Sequence, residues 1–146
     1  MDVLLDIVTN KCIYIPFGLW FFIQLFKVFY DLIVEKKFNF KRIMGAGGMP
    51  SSHAAVTSSL AVLTGKELGF DSPMFAIALI LAFVVMYDAA GVRRAAGKQA
   101  KLLNKLVETP GLKTEEVQER LVEVLGHTPI QVIVGALIGI IAGIIL

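Results

Sequence analysis

The C-terminal segment decides the fold: residues 129–146 read PIQVIVGALIGIIAGIIL and contain no charged side chain. Proline suits the first position of a helix, where no N–H donor is needed. Gly135, Gly139 and Gly143 recur at every fourth residue, and glycines at this spacing form a flat groove that a second helix can approach closely. We expect another helix of the same chain to fill the groove, because a small bundle needs close contacts of its own. The alternative is a homo-oligomer contact through the same three glycines.

Three further apolar segments lie at about residues 13–34, 52–68 and 73–91. A helix of about 20 residues crosses the roughly 30 Å of hydrocarbon in a bilayer. The 146 residues are 56% hydrophobic and only 18% charged, with a mean hydropathy of +0.74. Soluble domains average about 45–50% apolar residues and roughly 25% charged residues. The sequence therefore predicts one all-α domain, residues 1–146. We expect it to be an integral, multi-pass bundle of about four transmembrane helices in the cell membrane.

Basic residues lie mainly in two of the three connections between these segments, and the connection after residue 68 contains none. The positive-inside rule then places both basic connections in the cytoplasm and both termini outside. We predict that residues 95–126 form a cytoplasmic hairpin of two helices, with the break between them at residues 109–111. We interpret its apolar face as packing on the bundle or the lipid surface; the alternative is a partner-binding role. No basic stripe with interleaved aromatics occurs, which argues against a nucleic-acid partner.

A glycine-rich loop runs into a helix start at residues 45–53, which read GAGGMPSSH. Glycines let several backbone N–H groups point into one concavity, and a helix start adds unpaired N–H groups and a positive dipole end. Such an arrangement binds phosphate, and His53 lies in the first turn. The alternative is an ordinary junction whose serines only cap the helix. The phosphate-binding candidates here are Lys41, Arg42, Gly47, Gly48, Ser51 and Ser52.

A second group of polar residues follows the third apolar segment. Asp88 lies near the end of an otherwise apolar helix, where a carboxylate is costly and usually has a partner. Arg93 and Arg94 present planar forks that suit phosphate oxygens, and Lys98 adds a further positive charge. We interpret these residues as part of the same phosphate site. The alternative is that the arginines are ordinary positive-inside contacts to lipid headgroups.

The chain contains two histidines, His53 and His127, and each lies at a predicted helix start on the same face. Such a pair can act on one phosphate group: one histidine attacks phosphorus and the other protonates the leaving oxygen. This chemistry requires no metal and no cofactor. Lys27 and Asp31 lie four residues apart in the first segment, and we expect them to form a structural ion pair; the alternative is a role in the site.

Together these motifs resemble the divergent branch of the type 2 phosphatidic acid phosphatase superfamily, described as acid phosphatase/vanadium-dependent haloperoxidase-related membrane proteins. The resemblance covers about Gln24 to the C-terminus. In that superfamily a Pro-Ser-Gly-His motif binds phosphate and supplies a general acid. A later motif supplies a phosphate-binding arginine, a histidine nucleophile and an aspartate that orients it, and an upstream motif adds phosphate-binding cations.

The resemblance implies that His53 is the acid and His127 the nucleophile. Pro50-Ser51-Ser52-His53 matches the first motif with serine in place of glycine, and Lys41 and Arg42 resemble the upstream cations. Gln131 stands where the family has aspartate, so we expect it to support His127 by a hydrogen bond without a full charge. Leu121 stands where the family has arginine, and we expect Arg93 and Arg94 to replace it from another helix.

The sequence therefore predicts a phosphatase-like membrane protein. It would bind, and through a phosphohistidine hydrolyse, a lipid phosphate or other phosphomonoester at the cytoplasmic face. The alternative is a non-catalytic binder or carrier of anionic lipid headgroups that retains the phosphate pocket. A third hypothesis is a small structural subunit that oligomerises through the glycine face of residues 135–143.

Overall fold

A computed structural model describes residues 3–34, 48–108, 121 and 126–146 of the chain. These residues form helices and short connections, and no strand occurs among them. The helices are α1 (Val3–Thr9), α2 (Lys11–Val34), α3 (Ser52–Leu68), α4 (Pro73–Ala90), α5 (Val92–Glu108) and α6 (Pro129–Ile145). The described part of the protein is thus all-α.

The helix bounds agree with the four apolar segments to within two residues at either end. The short helix α1 was not predicted, and Asn10 separates it from α2 by accepting a hydrogen bond from the Cys12 N–H at 2.9 Å. The predicted hairpin begins earlier than residue 95, because only Gly91 separates α4 from α5. Its predicted break at 109–111 lies outside the described residues.

The closest helix pair is α3 with α6, and the two helices run parallel. A Cβ atom built on Gly135 would meet the backbone of Ser51, one on Gly139 the backbone of Ala55, and one on Gly143 the side chain of Val62 and the carbonyl of Ser59. Each step of four residues along α6 therefore matches a step of four along α3. Within one copy of the chain, α3 occupies the glycine groove; a contact with a second copy stays a prediction.

The opposite ends of these helices are also joined. The Lys66 ammonium, near the end of α3, donates to the carbonyl oxygens of Gly143 (3.2 Å) and Ile144 (3.0 Å) at the end of α6. These carbonyls have no partner within their own helix, and a cation there also favours the negative end of the helix dipole. Lys11, at the start of α2, lies 3.8 Å from Glu67. Hence α2 runs antiparallel to α3 and α6.

The helix α3 is the centre of the bundle, since α2, α4 and α6 all pack against it. This position suits its sequence, which is rich in small and hydroxylated residues and has buried positions along most of its length. Two of its hydroxyls are satisfied locally: Thr57 donates to the His53 carbonyl at 2.9 Å and Ser59 to the Val56 carbonyl at 2.9 Å. The helix thus carries polar atoms into the bundle without leaving these hydroxyls unpaired.

The surrounding helices have the composition of membrane spans. Two stretches of the described residues, Lys11–Ile33 and Pro73–Leu106, are long and apolar enough to cross a membrane, and Pro129–Ile145 is a shorter apolar helix. Their large apolar side chains point outward, including Phe22, which is 69% exposed, and Phe83, which is 70% exposed. Whether each of the four predicted spans crosses the bilayer stays a prediction.

The glycine seam yields a test of the fold. Replacing Gly139 by Ala would place a Cβ closer than 3.0 Å to the Ala55 backbone, so the helices must move apart. We expect this change to lower the free energy of unfolding by about 1–3 kcal/mol, the usual cost of overpacking. Gly18→Ala is the matched control, because nothing lies within 4 Å of its added Cβ. Thermal unfolding in detergent measures both, and equal melting temperatures would contradict the packing described.

Candidate functional site

The two histidines meet at the end of the bundle where α3 and α6 begin. His53 lies in the first turn of α3 and His127 two residues before α6. Their ring centroids are 5.9 Å apart, with the rings inclined at 64°. Nδ1 of His53 and Nε2 of His127 are buried and have no hydrogen-bond partner among the described residues. Polar atoms buried in this way are uncommon in proteins and mark a place where a ligand can bind.

The orientation of His127 is set by the glycine-rich loop. Its Nδ1 lies 3.1 Å from the carbonyl oxygen of Gly48. A carbonyl can only accept a hydrogen bond, so Nδ1 carries the proton and Nε2 of the neutral ring keeps its lone pair. His127 as a whole is only 2% exposed. The loop therefore holds His127 in the form that a nucleophile requires.

The backbone around His127 is docked on the end of α4. The His127 N–H donates to the Ala89 carbonyl at 2.9 Å. The preceding Gly126 has φ 87°, which favours glycine, and a Cβ there would lie 2.5 Å from the backbone nitrogen of Arg94. Further back, the Asn104 side chain bonds both backbone groups of Leu121, at 2.9 and 3.0 Å. These hydrogen bonds anchor the chain between α5 and α6 at Leu121 and His127, and so they fix the position of the histidine.

Two of the predicted site residues have structural duties. Gln131 forms a capping box with Thr128: its Oε1 accepts from the Thr128 N–H at 3.0 Å, and its own N–H donates to the Thr128 hydroxyl at 3.4 Å. Ser51 caps α3 by accepting from Ala54 at 3.3 Å, and its N–H donates to the Gln131 carbonyl at 3.0 Å. Ser51 therefore joins the starts of the two helices, and its N–H is already used.

The acidic and basic residues at the end of α4 form an ion pair. Nε of Arg93 lies 2.6 Å from Oδ2 of Asp88, and both side chains are partly exposed. Because Asp88 contacts Nε of the Arg93 guanidinium, it does not occupy the other edge of that group, which the two Nη atoms form. The charges of both residues act on His53. This pair is therefore close enough to act on His53, and its part in a phosphate site stays a prediction.

The remaining predicted residues are distributed as follows. Gly48 and the buried Ser52 lie near the start of α3, close to His53 in sequence, and the Gly48 carbonyl also contacts His127. Arg94 and Lys98 are exposed on α5. Lys41, Arg42 and Gly47 lie outside the described residues.

The sequence assigned Lys27 to a structural ion pair, and the structure gives it a position beside the site. Lys27 is 3% exposed and Asp31 7% exposed. Both line a cavity of about 730 Å³ between α2 and α6, together with Gly48 and Gln131. The charge of Lys27 acts on both His53 and His127. Two charged residues within an otherwise apolar span were the signal that pointed here.

Comparison with known proteins identifies the family. The model of the divergent PAP2 family matches residues 8–142. The chain belongs to this family. It is also 37% identical, over 153 aligned positions, to a Bacillus subtilis (strain 168) protein named "uncharacterized membrane protein YuiD", with 97% of each chain covered. No solved structure matches the chain.

Membership of the divergent PAP2 family confirms the resemblance on which the assignment of the histidines depends. With its apolar helices and its membrane-protein relative, the chain is a membrane protein of this family. The roles of the individual residues are proposed below.

The environment of His127 also affects its protonation. Burial lowers the pKa of His127 below its ordinary value of 6.5, and the charge of Lys27 lowers it further. His127 is therefore neutral at neutral pH, which keeps the Nε2 lone pair available.

This shift predicts a dependence of stability on pH. Below about pH 6.5 the unfolded chain takes up a proton at residue 127 that the folded chain resists. We therefore expect the melting temperature to fall between pH 7.5 and 5.5, and to fall less in His127→Asn, whose amide can still donate to Gly48. Thermal unfolding of both proteins across this range provides the measurement. The same fall in both would mean that His127 does not contribute.

Proposed function

We propose that this protein is a phosphatase-like membrane protein that binds and hydrolyses a phosphomonoester, such as a lipid phosphate, at the cytoplasmic face. One observation carries the proposal: two histidine rings 5.9 Å apart, each with a buried ring nitrogen that lacks a partner among the described residues. A single phosphate group can contact both rings. Membership of the divergent PAP2 family supports the same reading.

In the proposed reaction, Nε2 of His127 attacks phosphorus. A nitrogen–phosphorus bond forms as the phosphorus–oxygen ester bond breaks, and the departing oxygen takes a proton from His53. Water then attacks the phosphohistidine, loses a proton to His53 and releases inorganic phosphate. Arg93, held by Asp88, supplies positive charge beside His53 for the phosphate oxygens.

A specific observation favours a second function, a binder of anionic lipid headgroups without turnover. Gln131 stands where the larger phosphatase superfamily has its catalytic aspartate, and its side-chain oxygen is already bonded to the Thr128 N–H. The group that orients His127 is instead the neutral carbonyl of Gly48. A carbonyl stabilises a positively charged imidazole less than a carboxylate does. The phosphate pocket would then persist while hydrolysis is slow or absent.

The two functions differ in phosphate release. The variant His127→Asn keeps a donor to the Gly48 carbonyl but lacks Nε2, so we expect release from an alkyl phosphate to fall by several orders of magnitude. Vanadate binding should weaken, because one of the two ring nitrogens that contact the anion is removed. Gln99→Ala, exposed on α5, is the control and should match the wild type. The measurement is phosphate release by purified protein in nanodiscs.

The results for phosphate release and vanadate binding distinguish a phosphatase from a binder without turnover. Wild-type release by His127→Asn would overturn the mechanism. Saturable vanadate binding by the wild type without any release would establish the binder. Absence of both would contradict the proposed function in either form.

The proposed orientation has its own test. In a Cys12→Ser background, Ala96→Cys on α5 and Asp71→Cys between α3 and α4 place single exposed thiols at opposite ends of the bundle. The positive-inside rule predicts that a membrane-impermeant maleimide labels position 71 in intact cells and position 96 only after the membrane is opened. The reverse pattern would place the histidines outside.

A further inference from the structure

The helix α5 follows α4 directly but differs from it in composition. Residues 92–107 contain five basic residues and no acidic one. Only Gly91 separates the two helices, and its ψ of −87° departs from the roughly −42° of an α-helix. The Ala89 carbonyl, at the end of α4, accepts a hydrogen bond from the His127 N–H. The helix α5 is therefore a separate element that begins where the predicted span ends, next to the membrane surface.

One face of α5 packs on the rest of the protein. Its buried residues Gly97, Ala100 and Asn104 recur at intervals of three and four, and so they share a face. The Asn104 side chain bonds both backbone groups of Leu121. At the other end of the helix, a Cβ built on Gly126 would meet the backbone of the first turn of α5. These contacts fix the rotation of α5 about its own axis.

A second face of α5 is apolar and exposed. Leu102, Leu103 and Leu106 are 63%, 49% and 56% exposed, and Leu106 lies between the other two one turn later. Val92, at the start of the helix, is 63% exposed. Four large apolar side chains on a helix that is otherwise polar and basic need an apolar surface to cover them.

A third face of α5 is basic. Arg94, Lys98, Lys101 and Lys105 recur at intervals of four, three and four residues, and all four are exposed. Arg93 lies on a different face, where it pairs with Asp88 and its charge acts on His53. The helix thus carries two separate sets of cations, of which one lies near the histidines and the other faces away from the bundle.

An apolar face beside a basic face is the pattern of a helix that lies in the plane of a membrane surface. The apolar side chains enter the boundary between headgroups and acyl chains, while long basic side chains bury their stems and keep their charges among the headgroups. Anionic lipids attract such charges. Residues 92–108 contain no aromatic side chain on which a nucleic-acid base could stack. Charge and position therefore both favour a lipid surface as the partner of α5.

We propose that α5 is a docking surface for the anionic lipid leaflet, with its leucine face in the acyl boundary and its basic face against the negatively charged headgroups. The lipids bound here surround the protein and are not its substrate, because this surface faces away from the histidines. The proposal therefore stands or falls independently of phosphate hydrolysis. It also gives Arg94 and Lys98 a partner outside the phosphate site.

The test places a fluorescent label on the leucine face. In a Cys12→Ser background, Gln99→Cys carries acrylodan, since Gln99 is exposed three and four residues before Leu102 and Leu103. The full chain is placed in nanodiscs of phosphatidylcholine, alone or mixed with phosphatidylglycerol. Quenching by a doxyl-labelled lipid and the emission maximum then report the ratio of docked to undocked helix. We expect phosphatidylglycerol to raise this ratio about tenfold or more, and high salt to cancel the rise.

The basic face has a matched pair of variants. Arg94→Gln, Lys98→Gln and Lys101→Gln together remove three charges and should abolish the effect of phosphatidylglycerol. Arg94→Lys, Lys98→Arg and Lys101→Arg together keep the charges and should behave as the wild type does. These side chains are exposed, so an unchanged melting temperature is expected in both variants.

The apolar face is tested by Leu103→Gln with Leu106→Gln, which should lower the quenching in both lipid mixtures. A label in water in both mixtures would leave this face to a soluble protein and overturn the proposal. Equal docking in both mixtures would overturn the role of anionic lipid. Wild-type behaviour of the charge-removing variant would overturn the role of the basic face, and wild-type quenching in the leucine variant would overturn that of the apolar face.

Discussion

The close approach of the α3 and α6 backbones is the contact on which the rest of the structure depends. In lipid, helices gain little from the hydrophobic effect, so they associate through close packing and weak backbone contacts. The glycines of α6 admit this approach, and the small residues of α3 face them. Because the pairing is parallel and advances four residues at a time on both helices, the two helix starts come to the same level. His53 and His127 meet for that reason, and the hydrogen bond from Ser51 to the Gln131 carbonyl joins the two starts directly.

The site combines a rigid histidine with a neutral support. His127 is held at its backbone by Ala89 and at its ring by Gly48, so its tautomer is set without a carboxylate. A charged partner would stabilise the imidazolium but would also raise the cost of burial in an apolar setting. Burial favours the uncharged ring, which is the form that can attack phosphorus, although the hydrogen bond to the carbonyl acts in the opposite direction and raises the pKa of His127.

The unequal packing of α2 and α6 gives the site its surroundings. Both helices pack on α3, but they hardly touch each other, and large side chains such as Phe22 and Phe26 line the gap. The buried Lys27 lies in this gap, as does Gly48, whose carbonyl contacts His127. A small bundle can thus place a charge and an apolar space next to one another.

Much of the fold could be predicted from sequence, because its signals are local. Apolar length, Pro73 and Pro129 at helix starts, and the caps at Ser51, Ser72 and Thr128 mark the helices to within two residues. The three motifs also reach one end of the bundle, since helices that alternate in direction must bring alternate ends together. The short helix α1 and the early start of α5 carried no comparable signal.

Only the tertiary structure decided which contacts each side chain makes. Gln131 has the right spacing to support His127; its side chain caps α6 and also acts on the His127 imidazole, while a carbonyl from the Gly48 loop contacts Nδ1 of the ring. Lys27 and Asp31 have the spacing of a helical ion pair, which stays a prediction, and only the structure shows that both line a cavity beside the site. Spacing along a helix fixes which residues share a face. The element that the face meets depends on contacts between residues far apart in the chain, and these form only when the helices pack.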